Sequence, residues 1–477
     1  MSNGLGLLVS VIYILAVLGL TSFCYKKKKL TALESRKFAH IGLCNWWLIA
    51  WIFFDNYIFA SILPAIFIII NYCNYRFNFI PGIEEKVEKK RTMGTVWYTI
   101  SLFILSVLLF QHKSFLFIGA IAILILGYGD GLAGLIGSIF GKHKLGVNNK
   151  SVEGSLTVFI MSFIISVLLL QSFMTTNMTL VYGLYIAMFA MMVELYSPKG
   201  LDNLLLPLGV ALYAYLLTSH FAFIESFALG FTISSLVVFF ILIKKSLTVT
   251  ASFWALILGS AIYVLSGPIV FGALIFFFLS STLIEHYHHK PLEEKQRNLN
   301  QVIENSFACL LFSIMYFITG SEIALTAAFV SIAGATADTW SSSIGYYSKS
   351  KVKSILTGKP LPKGESGGVT WLGSFGALLG SLLVALLSLL APTENMLMRF
   401  IIVLGFGLFT SLIDSIFGIL LQIKYYNKKT GEVLEKKPKQ MGNIERISGY
   451  SFLTNGMVNF TTIMISAILS CIVSLLI

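Results

Sequence analysis

The chain has only five aspartates in 477 residues. Asp55 lies between two apolar runs; the other four, Asp130, Asp202, Asp338 and Asp414, fall at or near the ends of apolar stretches long enough to be membrane helices. A carboxylate within such a helix costs about 2.5–3.5 kcal/mol at the bilayer centre and less near an interface, so acids used this rarely and kept there point to a working site. The chemistry that needs them is phosphoryl or nucleotidyl transfer. Magnesium takes one or two protein carboxylates and completes its shell with phosphate oxygens, while cations and backbone N–H groups neutralise the phosphate charge. The competing reading is a set of helix-terminal acids paired with loop lysines.

The acids occur in two ordered sets. Arg91 precedes Asp130, and Arg297 precedes Asp338 at a similar separation. Asp130 is followed by Gly134 and Gly137 and Asp338 by Ser342 and Gly345, positions that share one helix face. A basic loop then leads to Glu153-Gly154-Ser155 in the first set and to Gly364-Glu365-Ser366-Gly367-Gly368 in the second, and each set closes on its second aspartate, Asp202 or Asp414. Small-residue stripes alone belong to ordinary helix packing in membranes. The repeated order of arginine, aspartate, loop and aspartate does not.

The elements that must position these residues are membrane helices. With 56% hydrophobic residues, 12% charged residues and a mean hydropathy of +0.83, a soluble globule is excluded and the chain reads as an all-α polytopic integral membrane protein. A window of about 19 residues predicts about sixteen spans, near 4–25, 37–54, 57–73, 94–111, 115–140, 154–172, 178–196, 203–219, 222–243, 249–265, 268–285, 302–319, 323–346, 369–391, 397–423 and 450–476. Of the 34 lysines and arginines, all but Lys113 and Arg399 fall in alternate loops. Under the positive-inside rule this places both termini on the outer side and the acids, with their basic loops, at the cytoplasmic face.

The net charge of +12 therefore reads as an orientation signal, with no nucleic-acid partner implied. Five cysteines without a CxxC pair argue against a disulfide framework and a zinc site, and His286, His288 and His289 read as a solvated loop. There is no Walker-type P-loop and no HRD or DFG motif, so a nucleotide site must be of a membrane-specific kind.

The first half resembles the phytol kinase and dolichol kinase family of CTP-using membrane kinases. The matching stretches are Arg36-Lys37-Phe38-Ala39-His40-Ile41-Gly42, Gly129-Asp130-Gly131-Leu132-Ala133-Gly134 leading to Phe140-Gly141-Lys142-His143-Lys144, Lys150-Ser151-Val152-Glu153-Gly154-Ser155, and Pro198-Lys199-Gly200-Leu201-Asp202-Asn203. Ser138 stands where relatives often carry a basic residue, which shifts the phosphate charge to Lys142 or Lys144. The second half is similar to the family that includes phytyl-phosphate kinase and TMEM-type membrane proteins. It carries Arg297-Asn298-x2-Gln301-Val302-x2-Asn305, Ala337-Asp338-Thr339-Trp340-Ser341-Ser342, Lys363-Gly364-x2-Gly367-Gly368, Asp414-Ser415 and Asn455-x3-Asn459. Ser343 and Glu365 depart from that pattern.

The resemblance implies a fused enzyme. A domain at 1–245 would phosphorylate an isoprenoid alcohol of the phytol, geranylgeraniol or farnesol class with CTP, and a domain at 246–477 would convert the monophosphate to the diphosphate. In the first half it implies Asp130 and Glu153 as magnesium ligands, Asp202 as a further ligand or the base, and His40 as an alternative base. Arg36, Arg91, Lys142, Lys144, Lys150 and Lys199 would neutralise phosphate. Ser151, Ser155 and Asn203 would bond phosphate or ribose, and Gly131, Gly134 and Gly154 would allow close backbone approach. In the second half Asp338 and Asp414 are the expected metal ligands, Arg297 a phosphate clamp, and Asn298, Gln301, Asn305, Thr339, Ser342, Asn455 and Asn459 a polar lining beside the Lys363, Gly364, Gly367 and Gly368 loop. Two other readings stay open: a phosphatidate cytidylyltransferase-like enzyme, which attacks the α-phosphate, and a lipid or ion transporter built on an internal repeat.

Overall fold

The computed structural model describes residues 3–77, 86–87, 90–286, 296–363, 365–428, 432–434 and 444–477. The chain divides into two compact units, Met1–Ile243 and Lys244–Ile477. Both are bundles of membrane helices; this is an all-α integral membrane protein, and twelve helices among the described residues are long and apolar enough to cross a membrane. Each of the sixteen expected segments is helical. The count differs because 249–265 and 268–285 run on as one 38-residue element that turns at Gly267 (φ 83°) ahead of Pro268, and because 37–54, 94–111 and 203–219 form shorter helices.

In the first unit the helices are α1 (Asn3–Lys26), α2 (Ala32–Cys44), α3 (Trp46–Phe53), α4 (Tyr57–Phe77), α5 (Gly94–Leu109), α6 (Leu116–Leu124), α7 (Gly131–Ile139), α8 (Val152–Leu170), α9 (Thr176–Tyr196), α10 (Asp202–Thr218) and α11 (Ile224–Lys244). The expected span 37–54 breaks at Asn45, whose side-chain amide donates to the carbonyls of Ile41 and Gly42 and so competes with the helix ladder. α6 is the axis of the unit, with every residue from Leu116 to Gly127 buried. An all-apolar helix is stable only when surrounded, and α6 has the small residues that let neighbours close in. A methyl group on Gly119 would overlap the Trp47 indole, and one on Gly127 would overlap Cys44 Sγ. Between α6 and α7 the backbone widens into one π-helical turn, Ile125–Asp130. Such turns mark functional positions often enough to be informative, and this one ends on Asp130.

In the second unit α12 (Val249–His286) is followed by α13 (Leu299–Thr319), α14 (Glu322–Gly345), α15 (Trp371–Ser388), α16 (Met396–Leu420) and α17 (Asn455–Leu476). Here α14 is the surrounded helix, buried at every position from Ala324 to Ala337. α14 and α16 run parallel, joined through α15. Their register is set at one end by an ion pair between Glu322 and Arg399, and further along by Gly334, where a methyl group would collide with Thr410. One turn beyond those two positions stand Asp338 and Asp414. The segment after α16, expected only as a cationic loop, carries a three-stranded antiparallel sheet of Lys424–Asn427, Glu432–Leu434 and Ile444–Ser448.

Candidate active site

In the first unit a cavity of about 140 Å³ opens among α1, α2, α3, α4, α5, the π-helical turn and α10. Asp130 and Asp202 both line it, with Arg36, His40 and Asn203. Five of the sequence-derived candidates are therefore gathered at one space, although they are up to 167 residues apart in the chain.

Asp130 is 8% exposed and is held by Lys37, a residue of the Arg36–Gly42 stretch that the resemblance leaves without a role. Lys37 Nζ lies 2.7 Å from Asp130 Oδ2 and donates to the Asp130 carbonyl at 3.2 Å. A buried carboxylate requires such a partner, and the Lys37 ammonium supplies a charge-assisted bond. His40 Nε2 lies 3.8 Å from the same Oδ2 and donates to the Leu126 carbonyl at 3.2 Å, which leaves Nδ1 as the ring atom able to accept a proton. Asp202 occupies the first turn of α10, where the helix dipole favours a negative charge, and its Oδ1 accepts from the Asn203 backbone at 2.9 Å. Asn203 Nδ2 donates to the Gly94 carbonyl at 3.0 Å, fastening α10 to the start of α5. Gly200 is needed for this closure. It has φ +87°, and a methyl group there would press on Thr92 at 3.2 Å.

The remaining first-half candidates surround that core without lining the cavity. Gly131 and Gly134 face α2, where side chains would overlap Ile41 and Lys37. Residues 143–152 form a small hairpin, bridged Lys144 to Ser151, that leads into α8. Ser151 caps α8 by accepting from the Gly154 N–H at 3.2 Å, and Ser155 is buried one turn on. Glu153 Oε1 accepts from His143 Nδ1 at 2.7 Å. Lys150 is bound by Glu194 at 2.7 Å, and Asn148 donates to the Ser197 carbonyl at 3.0 Å, so the hairpin is clipped to the loop that precedes Asp202. Lys142, Lys144 and Lys199 are exposed. Arg91 sits on the short strand Lys90–Arg91, and its side chain lies outside the described residues.

In the second unit Asp414 is 9% exposed and accepts from Thr462 Oγ1 at 3.3 Å. With its amide turned to satisfy both neighbours, Asn459 donates to the same carboxylate oxygen at 3.0 Å and to the Asn455 carbonyl at 2.8 Å. The glycine loop docks one turn further along α16. Gly367, at φ +85°, lies against Ile419 and the Ser415 carbonyl, Ser366 donates to Gln422 at 3.0 Å, and Glu365 pairs with Lys424 at 3.0 Å. Gly364 lies outside the described residues, Gly368 begins a two-residue strand, and Lys363 reaches the Ser348 carbonyl at 3.5 Å over the Tyr346 ring. Asp338 and Thr339 are half-buried on α14, while Ser342 is exposed and bonds the Thr339 carbonyl.

Four other candidates have structural partners. Arg297 is held by Glu285 at 3.0 Å and lies over Phe277 and Phe278. Asn298 and Gln301 form a reciprocal capping box at the start of α13, each side chain accepting from the other's backbone N–H. Asn305 is half-buried and donates to the Gln301 carbonyl at 2.9 Å. A capping box was legible in the asparagine-x-x-glutamine spacing.

The cavity also brings in residues that the sequence reading did not single out: Lys37, Asn71, Asn74, Thr92, Thr95 and Tyr98. Thr92, just ahead of α5, and Thr95 and Tyr98 within it recur every three residues, a stripe ahead of an apolar run that was available as a signal.

Residues 232–467 match the family model described as integral membrane protein DUF92. The chain is 33% identical over 233 residues to Protein PGR of Arabidopsis thaliana, a match covering 42% of this chain and 80% of that protein. It is 28% identical over 202 residues to the chloroplastic phytol kinase 1 of the same plant, covering 38% and 66%. No solved structure matches it. A phytol kinase of Synechocystis sp. is 34% identical over 191 residues, covering 38% of this chain and 78% of that protein. On that match the chain belongs to the phytol kinase family, with a DUF92 region at residues 232–467.

Proposed function

We propose that the first unit is a CTP-dependent kinase for an isoprenoid alcohol, working at the cytoplasmic face. The observation that carries this reading is the meeting of Asp130 and Asp202 at one cavity beside Arg36 and Lys37. The family membership supplies the substrate class, through the phytol kinases it resembles.

The donor set fits magnesium. No group of three or more His, Cys, Asp or Glu gathers as a metal site among the described residues, whereas a magnesium ion carried in on a nucleotide needs only one or two protein carboxylates. Asp130, with Oδ2 fixed by Lys37, and Asp202 are the residues that would hold it; bound there, it would neutralise charge on the transferring phosphoryl group. Arg36 offsets further phosphate charge from the cavity wall. Where Asp130 alone holds the ion, Asp202 takes the proton from the alcohol hydroxyl, the alcohol oxygen attacks the γ-phosphorus, and the bond to CDP breaks. His40, through Nδ1, is the second candidate for that proton.

The second unit carries the further proposal that the monophosphate receives a second phosphate there. What supports it is the register that brings Asp338 and Asp414 to one level of the bundle, beside a glycine loop anchored by Glu365 and Lys424. The family description for this region names no activity.

The test is to incubate the purified full-length protein in lipid nanodiscs with phytol, magnesium and γ-labelled CTP. Labelled phytyl monophosphate with release of CDP is the expected product. Release of pyrophosphate would replace the kinase reading with cytidylyl transfer, and absence of any phosphorylated lipid would remove it.

A further inference from the structure

The cavity of the first unit changes character along its length in the same sense on three helices. Arg36 on α2, Asn74 on α4 and Thr92 just ahead of α5 line it at the helix ends nearest the aspartates, whereas Trp46, Leu63 and Leu102 line it further into the bundle. A space polar at one end and hydrocarbon-lined at the other suits an amphiphile with a single small head group.

Tyr98 stands at the border. Its ring packs against His40 with centroids 4.8 Å apart, it is 6% exposed, and its hydroxyl is buried without a hydrogen-bond partner while the residue lines the cavity. Nearer the aspartates, Thr95 Oγ1, Thr92 Oγ1 and Asn203 Oδ1 are buried and unpartnered in the same wall. Burying a hydroxyl with no partner is costly, and bundles retain such groups where a ligand completes the bond. The position matters as well: Thr92 and Thr95 lie on the aspartate side of Tyr98, and Leu102, one turn beyond it, belongs to the apolar half.

We propose that Tyr98 positions the acceptor alcohol, its phenolic O–H donating to the oxygen of the lipid hydroxyl while the tail lies along Leu102 and Trp46. This rests on the kinase reading above and adds to it the orientation of the acceptor. The bond from Tyr98 leaves the alcohol proton free for the base and strengthens as the oxygen gains negative charge.

The test compares Tyr98→Phe with the unchanged protein, full length and in detergent, since this substitution keeps the ring against His40 and removes one oxygen. Phytol binding is read without nucleotide, by titration calorimetry and by the rise in Tm, and the KM values for phytol and CTP are read separately. The variant is expected to bind phytol about 3- to 10-fold more weakly, the value of one hydrogen bond, with the KM for CTP unchanged and the ligand-free Tm equal or higher because a buried orphan group is gone. Phytane, which lacks the hydroxyl, should bind both proteins alike. Equal phytol affinity in the two proteins would overturn the proposal, as would a lowered ligand-free Tm with unchanged affinity. Phytol binding that depends on Tyr98 in a protein showing no phosphoryl transfer would sustain the acceptor site and remove the kinase; failure of the unchanged protein to bind phytol would remove the acceptor site itself.

Discussion

Lys37 Nζ sits 2.7 Å from the Asp130 carboxylate because Gly134, one turn beyond Asp130, has no side chain to occupy the path of the lysine stem. The glycine stripe after Asp130 thus serves packing and chemistry together. It brings α2 close to α7, and that closeness lets the Lys37 ammonium reach the buried Asp130 carboxylate.

Removing either partner of this pair leaves a buried charge uncompensated. Asp130→Asn and Lys37→Met are each expected to lower stability by about 3 kcal/mol and to abolish transfer to the alcohol. Combining the two should restore most of the Tm while activity stays absent. Thermal unfolding in detergent, alongside product formation, checks both halves of this expectation.

Gly134→Ala separates the fold from the site. The group its methyl displaces is the far end of a flexible lysine, so the bundle should accommodate it at a cost of about 1 kcal/mol or less. Transfer should fall at least tenfold because the Lys37 ammonium, although still able to pair with Asp130, is pushed from the position it holds at the cavity. Loss of stability together with activity would instead mark Gly134 as a packing residue alone.

The two units should be separable by product. Asp130→Asn is expected to eliminate the monophosphate, whereas Asp338→Asn or Asp414→Asn should leave monophosphate formation intact and eliminate the diphosphate. Chromatography of labelled lipids after feeding phytol, and separately phytyl monophosphate, distinguishes these outcomes. Unchanged products from the Asp338→Asn variant would end the two-step proposal.

Chelation by EDTA should stop transfer and added magnesium should restore it, with no change in Tm. The reason is the sparse donor set: two carboxylates at the cavity hold an ion only in company with phosphate oxygens, so the ion belongs to the nucleotide complex more than to the fold. A large EDTA-induced fall in Tm would point to a resident structural metal.

Gly367 tests the second unit's loop. At φ +85°, with Ile419 filling the space a methyl group would need, Gly367→Ala combines backbone strain with a clash and should cost about 2–4 kcal/mol. Glu365→Gln, which weakens the bond to the buried Lys424, should cost a similar amount. Thermal unfolding reads both.

The helices and the placing of rare acids at helix ends were contained in the order of residues, because hydropathy over about 20 positions and the 3.6-residue repeat are local properties of a chain in lipid. That order also put two scarce carboxylates in one half; that Asp130 and Asp202 line one cavity is the work of packing. Which cation answers Asp130 was decided only by packing: Arg36 and Lys37 are neighbours in the chain, and the approach of α2 to Gly134 determines which of them reaches the carboxylate. In the same way Arg297, read as a phosphate clamp, is taken by Glu285, and Asn298 with Gln301 closes a helix end. A polar residue in an apolar chain must find a partner, but the identity of that partner is a matter of distances between helices far apart in sequence, which no local pattern specifies.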